Sequence, residues 1–202
     1  KILRYSLNYA ISEELISVNP MDKIKNEEKP HRYRTEREFL TINELKKLAQ
    51  TPFYNTLLKK AFLFSCFCGL RHSDIIALTW RDIEIDENKN YRLHIIQKKN
   101  KEAISLPLSQ ESVKQLPKRE NAKDSDKIFK GLITLGRTNE ILPRWAEQAG
   151  IKKHITFHTA RHTHATMLLT LGVDLYTVSK LLGHTNILTT QIYAKLVDES
   201  KK

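Results

Sequence analysis

The sequence predicts a mixed α/β domain that is predominantly α-helical and carries a small three-stranded antiparallel sheet. Only 6 Gly and 6 Pro occur among the 202 residues, too few for the closely spaced turns of an all-β sandwich. Apolar residues recur at helical spacing over most of the chain, whereas residues 83–108 alternate between apolar and polar. With 40% hydrophobic residues the chain can bury a real core, which excludes a disordered basic tail.

The composition is strongly basic. Lys and Arg number 34 against 23 Asp and Glu, a formal net charge of +11, and such a chain favours a polyanion as its partner. No apolar stretch approaches the ~20 residues of a membrane span, and no signal peptide is visible. Cys66 and Cys68 lie too close together in one apolar run to be placed for a disulfide. We therefore expect a reducing, cytoplasmic setting and no membrane contact.

The first 38 residues predict a helix and a linker. Apolar residues at spacings of three and four make residues 1–20 an amphipathic helix that ends at Asn19-Pro20. A lone helix of this length is marginal in water, so we expect its apolar face to belong to a preceding domain that has been cut away. Residues 21–38 combine many charges with Pro30, which predicts an extended charged linker. The main domain is expected to span residues 39–202.

Two helices open the main domain. Thr41 and Glu44 have the spacing of a capping box before a short amphipathic helix. Residues 56–68 are apolar nearly all round, which predicts a buried central helix. Gly69 is then expected to end it in a left-handed cap.

The sheet follows one further helix, which Ser73 or Asp74 is expected to cap. Alternating residues in 83–85, 91–95 and 103–108, joined by polar turns, predict an antiparallel meander. The remainder is expected to be helical again, near 109–116, 139–149, 159–171 and 174–182, with Asp174 as an N-cap and Gly150, Gly172 and Gly183 as stops.

Arg71 and the turn 98–101 are the first two candidate phosphate-binding features. Arg71 stands at a junction between two predicted helices, where it could simply pair with Asp74. The turn carries three lysines, as solvated hairpin turns commonly do. Each feature alone therefore has an ordinary structural explanation.

His158 and Arg161 form the third candidate feature. They lie three residues apart at a helix start, so both can reach one phosphate from adjacent turns. The ordinary explanation is a capping histidine beside an exposed arginine. A metal cluster of His158, His162 and His164 is a further alternative, but His164 points to another side of the helix and no zincin pattern accompanies it.

The fourth feature is His184 with Tyr193, which follows nine residues later and could be only a packing residue. In this order and at these distances, the four features resemble the catalytic domain of the tyrosine recombinases, the phage integrase family, over about residues 39–196. Bacterial mobile-element integrases are the most similar type. The most specific matches are Phe157-His158-Thr159-Ala160-Arg161-His162 and Leu182-Gly183-His184 with Tyr193.

The resemblance implies a site-specific enzyme that cuts and rejoins DNA strands through a 3′-phosphotyrosine intermediate. Residue chemistry suits this reaction, because arginine forks bind phosphate oxygens in pairs and a tyrosine oxygen can attack phosphorus. The histidines would contact the phosphate, one of them as general base, and a hairpin lysine would protonate the leaving 5′ oxygen. The implied catalytic residues are Arg71, Lys99, His158, Arg161, His184 and Tyr193, with Asp74 orienting the first arginine.

The choice of lysine rests on spacing. Counting back eight residues from Pro107, the usual hairpin spacing in the family, selects Lys99, whereas aligning on the turn 100–102 selects Lys98. A turn breaks the period of the strands, so alternation does not decide between them. We predict Lys99.

The resemblance also implies partners and excludes cofactors. We expect double-stranded DNA, a synaptic homo-tetramer of the full-length protein, residues 1–20 as the last helix of a core-binding domain, and a nucleoid-associated bacterial location. Neither nucleotide nor metal is needed, because the phosphotyrosine conserves the energy of the phosphodiester.

Three alternatives remain at this point. A helix-turn-helix DNA-binding protein could use residues 174–182, yet it would need neither Tyr193 nor both arginines. A metal-dependent nuclease needs paired carboxylates, and Asp74, Asp82 and Asp86 have no partners at ligand spacing. A type IB topoisomerase is disfavoured by the short chain.

Overall fold

The computed structural model describes residues 2–28, 37–99 and 101–200 and divides the chain into two compact units, Lys1–Glu36 and Arg37–Lys202. The division thus falls at Arg37, slightly before the predicted residue 39.

The first unit differs from its prediction at the end of the helix. Helix α1 (Ile2–Ser12) stops well before Asn19, because the chain leaves helical geometry at Glu14, where φ is 57°. Asn19 instead caps a single 3-10 turn, Pro20–Asp22, by accepting the N–H of Met21. No residue of α1 is buried, and Ile2, Leu3, Tyr5 and Tyr9 are exposed.

The predicted linker is not wholly extended. Its described part contains the turn Pro20–Asp22 and another 3-10 turn, Asn26–Glu28. Residues 29–36, which include Pro30, lie outside the described residues.

The helices that open the second unit follow the sequence closely. The capping box of Thr41 and Glu44 is confirmed, with both reciprocal bonds present. The central helix is buried along most of its length, and Gly69 ends it at φ 71°. These elements are α2 (Ile42–Gln50), α3 (Thr56–Cys68) and α4 (His72–Ala77).

The predicted cap of α4 is wrong. Neither Ser73 nor Asp74 precedes the helix; its N-cap residue is Arg71, which makes no side-chain cap bond. Asp74 is buried instead, and its Oδ1 accepts the backbone N–H of Lys98 at 3.0 Å. The carboxylate therefore joins α4 to the start of the hairpin turn.

The antiparallel meander is confirmed. Its strands are β1 (Ile83–Ile85), β2 (Tyr91–Ile96) and β3 (Ala103–Leu108), hydrogen-bonded in the order β1-β2-β3. Leu93 lies opposite Ile83 on one side and Leu106 on the other. Because β3 buries every second side chain, one face of the sheet covers the core and the other meets solvent.

The helices after the sheet have shifted boundaries. The predicted helix 109–116 is shorter, the helix at 139–149 begins earlier, and the helix at 159–171 begins at Phe157, so that His158 lies inside its first turn. The sequence did not place a helix around Tyr193. The observed elements are α5 (Gln110–Val113), α6 (Leu135–Gln148), α7 (Phe157–Thr170), α8 (Leu175–Leu181), with Asp174 as its N-cap, and α9 (Leu188–Ser200).

Packing around α7 positions the candidate site. Helix α3 packs against one side of α7, where the edge of Phe62 meets Phe157 at 5.9 Å between ring centroids. Helix α9 packs against another side, where Tyr193 joins a small buried cluster with Ala165 and Val178. The motifs at residues 69–74, 158–164 and 182–193 consequently meet at one end of the core.

Two further findings concern features noted in the sequence. Cys66 and Cys68 are both free thiols and both buried in α3. Among residues 2–28, 37–99 and 101–200, no helix has the length and apolarity needed to cross a bilayer.

Candidate active site

Arg161 is a buried charged residue of the site that is held by hydrogen bonds. Only 1% of its surface is exposed, and its two terminal nitrogens donate to the carbonyls of Gly69 at 2.8 Å and Leu182 at 2.5 Å. Both carbonyls stand at helix ends, where the helix leaves them without an internal partner. Burial, followed by the positive charge of Arg71, lowers the pKa of Arg161 to about 10. The guanidinium is still charged at neutral pH.

Gln97 connects Arg71 to the Leu182 carbonyl, which Arg161 also contacts. Its fully buried side chain accepts from Nη1 of Arg71 at 2.6 Å and donates to the Leu182 carbonyl at 3.2 Å. Gly183 must be small here, because a Cβ would lie 2.7 Å from Oε1 of Gln97, and its φ of 62° also favours glycine. The sequence analysis missed Gln97; a buried polar residue directly after an alternating strand was the available signal.

Asp74 lies near the same nitrogen of Arg71. Its Oδ2 lies 4.0 Å from Nη1 of Arg71 and has no hydrogen-bond partner among the residues that the structure describes. Nη1 of the arginine thus has both the Gln97 amide and a buried carboxylate near it. The helix-cap alternative for Asp74 is wrong, and its orienting role stays a prediction.

The two predicted histidines face the same positive charges. His158 keeps an exposed surface, yet partial burial and then the charges of Arg161 and Arg71 lower its pKa to about 4. His184 has its pKa lowered to about 4 by the same causes in the same order. Its Nδ1 lies 2.7 Å from Oγ1 of Thr190. Both imidazoles are neutral at pH 7.

The hydroxyl of Tyr193 is buried in this cluster. Tyr193 is 1% exposed, and its oxygen is hydrogen-bonded to Nδ1 of His162 at 2.9 Å. Arg37 lies close enough to donate to the same oxygen, and His184 stacks nearly parallel to the phenol ring at 6.5 Å. Burial raises the pKa of Tyr193, while Arg161 and Arg37 act in the opposite direction.

The hairpin lysines lie at the edge of the cluster. Both are exposed. Lys99 is one of the positive charges that lower the pKa of His158, whereas Lys98 lines a cleft together with Asp74 and Asp82. Asn100, in the same turn, lies outside the described residues. Lys99 is thus the hairpin lysine whose charge acts on His158.

The histidines of α7 do not gather around one point. The rings of His158 and His162 meet edge to face at 4.5 Å, whereas the ring of His164 lies where a Cβ on Gly69 would contact it at 2.7 Å. Over residues 2–28, 37–99 and 101–200 no three His, Cys, Asp or Glu side chains form a group that could hold a metal ion.

Comparison with protein-family models identifies the family to which this chain belongs. The model of the Phage integrase family matches residues 38–200, most of the chain. The chain belongs to this family. Its helical fold with a three-stranded antiparallel sheet is the fold of tyrosine recombinase catalytic domains.

Curated relatives of this phage integrase family member are themselves tyrosine recombinases. A tyrosine recombinase of Pseudothermotoga lettingae is 30% identical over 204 residues, covering 98% of this chain and 69% of that protein. A XerC-like tyrosine recombinase of Caldanaerobacter subterraneus subsp. tengcongensis is 29% identical over 242 residues, covering 98% of this chain and 61% of the relative. The chain thus spans about two thirds of the length of these relatives.

Solved structures share the fold. A lambda integrase dimer bound to a COC′ core site superposes with a TM-score of 0.74 at 20% identity, covering 95% of this chain and 69% of that one. The integrase of the Tn1549 transposon in complex with circular intermediate DNA gives a TM-score of 0.70 at 20% identity, covering 94% and 71%. At these identities the likeness concerns the fold.

The integrase fold brings the predicted residues of this chain together. Five of them are linked by contacts or by mutual effects on pKa, and the lysine lies at their edge. Sequence reasoning missed Gln97, His162 and Arg37, the last because it fell in the predicted linker. The residues that converge are Arg71, His158, Arg161, His184 and Tyr193.

Proposed function

We propose that the second unit cuts and rejoins DNA strands by transesterification, with Tyr193 as the nucleophile. The observation that carries the proposal is the position of the Tyr193 hydroxyl, buried against a cluster of arginines and neutral histidines. A packing tyrosine does not need two guanidinium groups fixed beside it. A helix-turn-helix DNA-binding protein would need neither a buried tyrosine hydroxyl nor the two arginines.

The charge of the cluster supports a phosphodiester as the substrate. Arg71 lowers the pKa of Arg161, so the two guanidinium groups repel each other, and an anion placed against both offsets that repulsion. Each presents a fork that suits two phosphate oxygens. If the Thr190 hydroxyl donates to Nδ1 of His184, the Nε2 of that histidine carries the proton and can donate to a phosphate oxygen.

The proposed reaction conserves the number of phosphoester bonds. The oxygen of Tyr193 forms a bond to phosphorus while the bond from phosphorus to the 5′ oxygen breaks. Lys99 gives a proton to the departing 5′ oxygen, and the proton of the tyrosine passes to a base, for which His158 is our candidate. A 5′ hydroxyl of another strand then reverses the step on the 3′-phosphotyrosine. The arginines stabilise the charge on the phosphate during both steps.

The setting of the reaction is also part of the proposal. We infer that the partner is double-stranded DNA, bound by the full-length protein as a synaptic homo-tetramer, and that the reaction integrates or excises a mobile element in a bacterial nucleoid. The net charge of +11 supports a DNA partner. The DNA complexes of lambda integrase and of the Tn1549 integrase support it by similarity.

A nicked suicide duplex tests the proposal. Cleavage next to the nick releases a short strand, so the covalent complex accumulates and is seen as a shifted band in a denaturing gel. We expect the parent chain to form it in EDTA, and Tyr193→Phe to bind the duplex equally but form none. Tyr176→Phe is the matched control, because Tyr176 is exposed on α8. A covalent band from Tyr193→Phe, or DNA binding without any band from the parent, contradicts the proposal.

A further inference from the structure

His162 is a buried histidine that the proposed reaction does not use. It follows Arg161 on α7 and is 8% exposed. Its Nδ1 lies 2.9 Å from the hydroxyl oxygen of Tyr193, whereas its ring also meets the edge of His158. Among the three histidines in the first two turns of α7, it is the one with a direct hydrogen bond to the proposed nucleophile.

The neighbours of Tyr193 favour one direction of this hydrogen bond, in which the hydroxyl donates and Nδ1 of His162 accepts. Arg37 lies beside the same oxygen and can only donate, because a guanidinium has no acceptor. The hydroxyl hydrogen is then free to donate to Nδ1 of His162. Such a bond requires a neutral imidazole, and burial, with the charges of His158 and Arg37, lowers the pKa of His162 to about 3.

We propose that His162 is a positioning residue, which accepts the hydroxyl hydrogen of Tyr193 before the reaction and so directs a free lone pair of the oxygen toward the phosphate. As the bond to phosphorus forms, this hydrogen leaves its bond to His162 and passes to the base, for which His158 is our candidate. The inference rests on the proposed function, since it assigns a role in the same site. It follows from geometry: with one donor and one acceptor in place, the remaining lone pair of the phenol oxygen has a defined direction. A hydroxyl free to rotate would present that lone pair only part of the time.

Two variants of similar shape separate positioning from packing. His162→Asn places an amide oxygen, Oδ1, at the δ position, where it can accept the hydroxyl hydrogen. His162→Leu places a methyl group there. We expect Leu to slow single-turnover covalent capture about tenfold, the worth of about one hydrogen bond, and Asn to stay within about threefold of the parent. Affinity for the uncleaved duplex should be unchanged in both.

A pH–rate profile and a double-mutant cycle on Tm complete the test. The Asn variant should keep the shape of the parent's pH–rate profile, because the proposal gives His162 no proton to carry. His162→Leu should lower Tm by about 2–4 °C in the parent, and by less than half of that in a Tyr193→Phe background, where the hydroxyl is already missing. This cycle requires no catalytic activity, so it tests the contact even if the proposed function fails.

The outcomes are distinct. Equal capture rates for Asn and Leu, or a Leu variant as fast as the parent, would overturn the positioning role. An equal loss of Tm in the two backgrounds would show that His162 acts as a packing residue. If His162→Leu does not fold, His162→Gln replaces it, because its amide lies one bond further out and misses the hydroxyl; capture by Gln at the rate of Asn would also contradict the proposal.

Discussion

The cations of the site stand in two contrasting environments. Arg161 is buried, with both ends of its guanidinium bound to backbone carbonyls. Lys99 stands exposed on the hairpin turn, and only its charge reaches His158. Two hydrogen bonds and burial hold the arginine in place, whereas an exposed lysine side chain keeps more of its rotamer freedom.

This difference fits two kinds of chemical work. A group that stabilises charge on a phosphate acts best when it is fixed in advance, because no reorganisation accompanies the reaction. A group that donates a proton must approach the leaving oxygen and later exchange the proton with solvent. We therefore expect loss of the lysine to depend on the leaving group, and loss of the arginine to be independent of it.

Replacing Lys99 is expected to give the largest effect and the strongest dependence on the leaving group. Lys99→Ala should cleave ordinary DNA about 10²–10⁴-fold more slowly, the usual contribution of a positioned acid. A 5′-bridging phosphorothiolate leaves as a thiolate, whose conjugate acid has a pKa of about 8.5 by analogy with cysteine, so the variant should cleave it almost as fast as the parent. Single-turnover gels with both substrates measure the ratio.

Lys98→Ala is the matched control for this experiment, and should show a modest, equal defect on both substrates. If the phosphorothiolate rescued only Lys98→Ala, the general acid would be Lys98 and not Lys99. Rescue in neither variant would mean that the turn only holds DNA.

Replacing Arg161 by Lys tests the fixed side of the comparison. A single ammonium cannot reproduce the fork that binds two carbonyls and a phosphate. We expect Arg161→Lys to slow capture about 10²–10³-fold on ordinary DNA and on the phosphorothiolate alike, and to lower Tm more than Arg71→Lys does. If the variant bound DNA more weakly but cleaved bound duplex at the parent's rate, Arg161 would be an anchor and not part of the chemistry.

Acidification distinguishes buried from exposed histidines. The pKa of His164 is lowered to about 4, chiefly by burial, and that of His162 to about 3. Between about pH 4 and 6.5 the unfolded chain then binds more protons than the folded chain, so stability must fall as the pH falls through this range. The loss should approach about 2 kcal/mol per buried histidine near pH 5, measured by urea unfolding at pH 7 and pH 5.

Single substitutions check the source of that pH dependence. His164→Leu should reduce the slope of the unfolding free energy against pH by the equivalent of about one proton. His154→Asn, at an exposed position, should leave this slope unchanged. If His164→Leu kept the full slope, His164 would not be the source of the pH dependence of stability.

Gln97 should give the smallest effect on rate, because it acts through Arg71. Gln97→Met loses both of its hydrogen bonds and should slow capture about tenfold, whereas Gln97→Glu keeps an acceptor for Arg71 and should lose about threefold. Gln148→Met, at an exposed position on α6, is the control for the substitution itself. Equal rates for Met and parent would show that Asp74 alone holds the arginine.

Local sequence signals predicted much of the fold. The capping box of Thr41, the left-handed cap at Gly69 and the alternation of residues 91–108 each depend on neighbours within a few positions, and each appears in the structure. Asp74 shows the limit of such signals. Its position near a helix start indicated a cap, but its carboxylate binds the backbone of Lys98, which lies far away along the chain.

The sequence by itself determined the identity and order of the proposed reactive residues, because arginine, histidine and tyrosine at these spacings define a recognisable motif. Only the tertiary structure decided what surrounds them. The packing of α9 against α7 brings His162 to Tyr193, and the meeting of two helix ends with the sheet brings Gln97 to Arg71. Such contacts join residues distant along the chain, and their geometry depends on how whole elements pack, which no local pattern encodes.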